Sequence, residues 1–153
     1  MFEYLMPLLL MRNYPGTLLD ETYTAVVQRQ QAYGAELGLP WGVSESGYNA
    51  RDMQFNYHYL AFGTPGLGVK RGLASDYVVA PYATVLALAV DPARAMRNLR
   101  TLITKGMENR YGLYEALDYT ADRLPSGAKF AIVRSEMAHH QGMSLLAIAN
   151  VLQ

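Results

Sequence analysis

"TLLDETYTAVVQRQQAYGAELG", residues 17–38, repeats its inward-facing positions at steps of three and four: Leu19, Tyr23, Val26, Val27, Gln30, Tyr33 and Leu37. That period is the signature of an amphipathic helix. Thr17 and Asp20 stand in capping-box spacing at its start, and Gly38-Leu39-Pro40 stops it. The same reading extends outward in both directions. Residues 2–12 are apolar, with Pro7 opening or kinking a first helix. "YVVAPYATVLALAV" (77–90) reads as a third, buried helix. "DPARAMRNLRTLITKG" begins with an Asp91 cap and Pro92 at the first helical position, shows Met96, Leu99, Leu102 and Ile103 on one face, and ends at Gly106. A last helix covers roughly 135–152. "KFAIVR" (129–134) is the single strand candidate. The expectation is an all-α fold with long functional loops at 39–76 and 106–128.

Bulk composition narrows the partners. The chain has 153 residues, enough for one domain with a real core. Thirteen basic and thirteen acidic side chains cancel, which argues against a nucleic-acid or anionic-membrane partner held by charge. There is no cysteine, so disulfides and thiolate metal sites are excluded. The opening "MFEYLMPLLLMR" has an early Glu3 and neither a basic start nor a small-residue cleavage site, so it is not a signal peptide. Residues 77–90 are shorter than the roughly 20 apolar residues a membrane span needs. Twelve tyrosines against four phenylalanines suit a wet, polar ligand groove. Entry on an apolar helix and exit on "NVLQ" suggest a piece of a larger helical domain, or a chain whose apolar faces associate with another copy.

Four motifs compete for the chemistry. "GVSES" (42–46) falls one residue short of a nucleophilic-serine elbow, but a helix rather than a strand precedes it. "FGTPGLGVKRGL" (62–73) has neither phosphate-loop spacing, although Lys70 and Arg71 could line a polar cleft. Adjacent His139 and His140 point about 100° apart on a helix, which does not suit one metal ion. The carboxylates remain. Glu45 sits in the first long loop beside Trp41 and Tyr48, and Glu115 in the second beside Tyr111, Tyr114 and Tyr119. Two acids on separate loops beside aromatic platforms match glycosidic-bond chemistry, in which one protonates the leaving oxygen and the other attacks or activates water. The alternative is structural, with each acid capping a helix or pairing with Arg51 or Arg110.

"MFEYLMPLLLM", "GVSESGYN", "FGTPGLGVKRGLASDYVVAPYATVLAL", "NRYGLYEALDYT" and "MAHHQGMSL", in this order along nearly the whole chain, resemble the glycoamylase-like domain of bacterial cyclic β-1,2-glucan synthases. The resemblance implies an (α/α)6 barrel related to the endo-β-1,2-glucanases. Residues 1–153 would be roughly half of it, a partial toroid of about 5–6 helices. It implies cleavage and transfer of β-1,2-linked glucan, closing a linear chain into a ring by transglycosylation. Glu45 would be general acid/base, and Glu115 nucleophile, or base if the enzyme inverts. Trp41, Tyr48, Lys70, Arg71, Asp76, Tyr114, Tyr119, His139, His140 and Gln141 would bind sugar. No cofactor or metal is implied. The partners would be the glucan and the remaining domains of a larger synthase or a second copy of the chain, at the cytoplasmic side of the bacterial inner membrane, with this segment itself soluble. A glucanase-type hydrolase and a non-catalytic glucan-binding scaffold are the alternatives.

Overall fold

The computed structural model describes residues 1–68 and 72–153. It corrects the all-α expectation. Among the described residues, five α-helices alternate with seven short strands in three small antiparallel sheets, and no arc of an (α/α)6 barrel forms. The two stretches expected to be loops carry five of those strands. Their residues lack a helical period, and hairpin pairing satisfies the backbone instead.

Helix α1 (Phe2–Leu5) tightens at once into a 3-10 turn, Met6–Leu9, with Pro7 near its start. Helix α2 (Leu18–Leu37) has nearly the expected bounds. The Thr17 hydroxyl accepts from the Asp20 amide at 3.3 Å, and Gly38 closes the helix in the left-handed conformation, φ 66°. Asp20 does not complete a capping box; its carboxylate accepts from Asn13 and the Gly16 amide. Tyr23, Val26, Val27 and Gln30 face the core as the periodicity requires, while Leu19 and Leu37 at the ends stay exposed.

Strands β1 (Ser46–Arg51) and β2 (Tyr57–Leu60) form a hairpin in which Gly47 opposes Tyr59. The expected helix over 77–90 is present only in its later part. Strand β3 (Val78–Val79) precedes α3 (Pro81–Leu86), which ends in a 3-10 turn, Ala87–Ala89. Pro81 is the reason: it disfavours helical geometry at Ala80 and suits the first helical position. Helix α4 (Pro92–Thr104) is capped by Asp91, whose carboxylate accepts from the Arg94 amide at 3.0 Å. It buries Ala95, Asn98, Leu99 and Leu102, while Met96 and Ile103, expected on the same face, lie at its exposed margin.

A small hairpin of β4 (Glu108–Asn109) and β5 (Gly112–Leu113) leads into β6 (Ala116–Asp118). Strand β7 (Ala131–Val133) falls inside the single strand candidate. The central sheet has the order β3-β6-β7, with Val79 opposite Leu117 and Leu117 opposite Ile132. Helix α5 (Ala138–Leu152) packs against α3. One core of buried side chains runs from Leu5 through Val27, Val79, Leu86, Leu102 and Leu117 to Val133. Among the described residues no helix is long and apolar enough to cross a membrane.

Candidate active site

Residues 41–45 cross the interior as extended chain because two buried amides satisfy their backbone. Asn98 of α4 accepts from the Trp41 amide at 3.2 Å and donates to its carbonyl at 2.8 Å. Gln30 of α2 does the same for Val43, at 3.0 and 2.8 Å. Between them Gly42 has φ 116°, and a Cβ there would lie 2.7 Å from the Thr84 hydroxyl, so only glycine fits. Val43 also bridges Val79 of β3. The strapped chain delivers Ser44 and Glu45 to the start of β1. Ser44 Oγ accepts from the Phe2 amide at 3.0 Å, and the Tyr82 hydroxyl lies 2.9 Å from Ser44 Oγ and 3.0 Å from the Glu45 carbonyl. The half-buried Glu45 lines a cleft with Glu3, Tyr4, Gln30, Phe62 and Thr64.

Glu115 is placed differently. It is 2% exposed, immediately before β6. Its carboxylate accepts from the Gly47 amide at 3.0 Å and meets His140 Nδ1 at 2.9 and 3.1 Å. A carboxylate only accepts, so that pairing places a hydrogen on Nδ1. Gly47 lets the two segments approach closely, since a Cβ there would stand a tight 3.2 Å from Glu115 Cγ. His140 is itself 1% exposed and stacks on Tyr82, with ring centres 3.7 Å apart and planes 12° from parallel. Its Nε2 lies 3.3 Å from the Tyr59 hydroxyl. Burial raises the Tyr59 phenol above its ordinary value; the facing Glu45 carboxylate adds to this, and the charge of Glu115 contributes less.

The two glutamates therefore open on different clefts. Glu115, His140, Tyr82, Tyr114 and Gln141 line the second cleft. Among the expected sugar-binding residues, Tyr114, His140 and Gln141 gather there; Gln141 donates to the Leu113 carbonyl at 3.0 Å. His139 is exposed, its ring 4.1 Å from that of His140. Trp41 is 8% exposed and borders a surface depression between α2 and α4, apart from both clefts. Tyr48 and Asp76 belong to a third group around Arg123. Arg123 binds Asp76 at 2.9 Å and Asp118 at 2.7 Å and lies 4.8 Å from the Tyr48 ring centre. Tyr119 packs on Tyr77 and Phe130; its hydroxyl is buried without a partner, and burial pushes its pKa up to about 12. Lys70 and Arg71 lie outside the described residues. No group of three or more His, Asp or Glu among the described residues is arranged to hold a metal.

Sequence reasoning missed Tyr59, Tyr82, Gln30 and Glu3. Gln30 was legible as a polar residue on the inner face of an amphipathic helix, and Glu3 as an acid in an otherwise apolar opening. Nothing in "YHYL" or "APYATV" singled out their tyrosines.

Comparison with known proteins places this geometry in a family. The Glycoamylase family model matches residues 1–153. The cyclic beta-(1,2)-glucan synthase NdvB of Rhizobium meliloti (strain 1021) is 49% identical over 152 residues, covering 99% of this chain. The chain spans 5% of that relative's length. A match over every residue, joined to near-half identity, means that this chain belongs to the Glycoamylase family.

Proposed function

We propose that this chain is part of a domain that cleaves and transfers β-1,2-linked glucan, with Glu45 as general acid/base and Glu115 as the second carboxylate, nucleophile or base. The observation that carries the reading is that Glu45 lines an open cleft while Glu115 is buried at a second cleft against two donors, His140 and the Gly47 amide. The near-half identity to a cyclic β-(1,2)-glucan synthase supports the substrate class. Glu45 reaches a cleft and is free to meet a glycosidic oxygen. Glu115 is held by His140 and the Gly47 amide, both donors, which fixes the orientation of its carboxylate. Tyr114, Gln141 and His139 would meet sugar hydroxyls and faces. In a longer protein the exposed Leu145, Val151 and Leu152 of α5 would pack against its remaining domains at the inner membrane's cytoplasmic side.

A second reading rests on Glu3, which lines the same cleft as Glu45. In it Glu3 is the partner carboxylate, and Glu115 serves to anchor His140.

The test uses the intact protein with linear β-1,2-glucan. Glu45→Gln is expected to lower transfer and hydrolysis by about 10²- to 10⁴-fold, the range for a lost general acid. Comparing Glu115→Ala with Glu3→Ala, each with and without azide, identifies the second carboxylate by which loss the small nucleophile rescues. Undiminished turnover in Glu45→Gln would remove Glu45 from the mechanism. Undiminished turnover in all three would leave a glucan-binding module.

A further inference from the structure

We infer that Tyr82 is a positioning residue for both glutamates: its hydroxyl anchors the main chain that carries Glu45, and its ring holds the imidazole that orients Glu115. The inference rests on Glu45 and Glu115 being the pair of acids proposed above.

Tyr82 lies on α3 and is 4% exposed, so its polar contacts are made within the protein. Its hydroxyl has one hydrogen to give and two oxygen neighbours, Ser44 Oγ at 2.9 Å and the Glu45 carbonyl at 3.0 Å. A carbonyl only accepts, so the arrangement that satisfies all three groups sends the Tyr82 hydrogen to Glu45 and has Ser44 donate to the phenol oxygen. Ser44 Oγ in turn accepts from the Phe2 amide at 3.0 Å. The bonds then run in one direction, from Phe2 through Ser44 and Tyr82 to the Glu45 carbonyl. Burial raises the Tyr82 phenol above its ordinary value, which keeps its hydrogen in place. The Gln30 strap ends at Val43 and β1 begins at Ser46, and Tyr82 spans the gap between them.

The ring acts on Glu115 through His140. The two rings stack with centres 3.7 Å apart and planes 12° from parallel. His140 is 1% exposed, and its Nδ1 meets both Glu115 oxygens, at 2.9 and 3.1 Å. Turning the imidazole about its Cβ–Cγ bond would carry Nδ1 off the carboxylate. A flat ring in close contact with its face blocks that turn, because a packed interior leaves no room for the tilt. The rings come from α3 and α5, which pack together, so helix packing holds the stack in place. One side chain thus joins two clefts whose glutamates are far apart in the chain.

Two variants separate the contacts. Tyr82→Phe keeps the stack and removes the hydroxyl. Its kcat/KM on linear β-1,2-glucan is expected to fall by about 10- to 100-fold, the upper figure being the cost of displacing a reacting group by about 1 Å. On a dinitrophenyl glycoside of the same glucan unit, whose leaving group needs no proton from Glu45, it should match wild type. Tyr82→Leu removes the stack as well and should lower kcat/KM on both substrates. The proton on His140 Nδ1, read by ¹H NMR, should keep its shift in Tyr82→Phe and move in Tyr82→Leu. Where Tyr82→Leu fails to fold, Tyr82→Met, unbranched and unable to stack flat, carries the same readings. An equal loss on both substrates in Tyr82→Phe would mark a merely structural hydroxyl and overturns the inference. So does an Nδ1 proton indifferent to loss of the ring. Full glucan turnover in Glu45→Gln overturns the acid reading and the hydroxyl's role with it. Lost turnover in Glu45→Gln beside an unimpaired Tyr82→Phe overturns the inference alone.

Discussion

Two side-chain amides decide where Glu45 stands. Gln30 and Asn98 each bind both backbone groups of one residue in the crossing segment, replacing the strand partner that segment lacks on that side. Val43 is fully buried, so its amide and carbonyl cannot turn to water instead. Replacing Gln30 by leucine keeps the volume roughly but orphans the buried Val43 amide and leaves its carbonyl only the Met1 ammonium at 3.5 Å, each lost bond worth about 1–3 kcal/mol. Gln30→Leu is therefore expected to lower stability by about 2–4 kcal/mol in urea unfolding. Glucan turnover should fall as well, because the freed loop carries Glu45. Gly42→Ala attacks the same segment through sterics, at φ 116° and a 2.7 Å clash with Thr84. Unchanged stability in Gln30→Leu would mean that the strap is not what fixes the loop.

The elements show where a single sequence is informative. Helices α2 and α4 were readable because each is long enough for several turns of periodic burial and each has chemical punctuation: Thr17 and Gly38 for one, Asp91-Pro92 and Gly106 for the other. The strands other than β7 were not readable. Strands β3, β4 and β5 have two residues each and cannot show alternation, β6 is buried on every residue, and β1 is interrupted by an irregularity between Gly47 and Arg51. Their pairing is decided by distant chain, which local pattern does not record. The site divided in the same way. Acids on loops were visible as costly residues in need of a purpose, whereas the Tyr59–His140–Glu115 contacts join residues far apart in the chain. Asp91 offers a test at this scale, since it caps α4 and also accepts from Gln31 of α2 at 3.2 Å. Asp91→Ala is expected to cost about 1 kcal/mol, the usual worth of an N-cap. A lowered melting temperature with fraying of the first turn of α4, seen by hydrogen exchange, is the expected readout.

Across the whole molecule, the Arg123 node joins segments that no helix connects. Arg123 binds Asp118 of β6 and Asp76 from the segment before β3, and Asp118 also accepts from the Asn49 amide of β1. Burial pushes the Asp118 carboxyl up, but hydrogen bonds from Arg123 and from the Thr120 and Asn49 amides outweigh it and hold the pKa below the ordinary value. The folded protein therefore binds fewer protons at this site than the unfolded chain does. Stability from Asp118 is complete above the unfolded pKa near 4 and is lost as pH falls through the lower, folded value. Asp20, Asp52 and Asp91 are held down too, but at the surface, where water screens the gain. Asp118→Asn puts an amide N–H against Arg123 and the two backbone donors. It should cost about 3 kcal/mol near neutral pH, as for a broken buried pair. The variant's unfolding free energy should also decline less steeply than wild type between about pH 5 and pH 2. Urea midpoints collected across that range measure both effects. An acid limb as steep as that of wild type would assign the pH dependence to the surface carboxylates, leaving the Arg123 node with a neutral packing role.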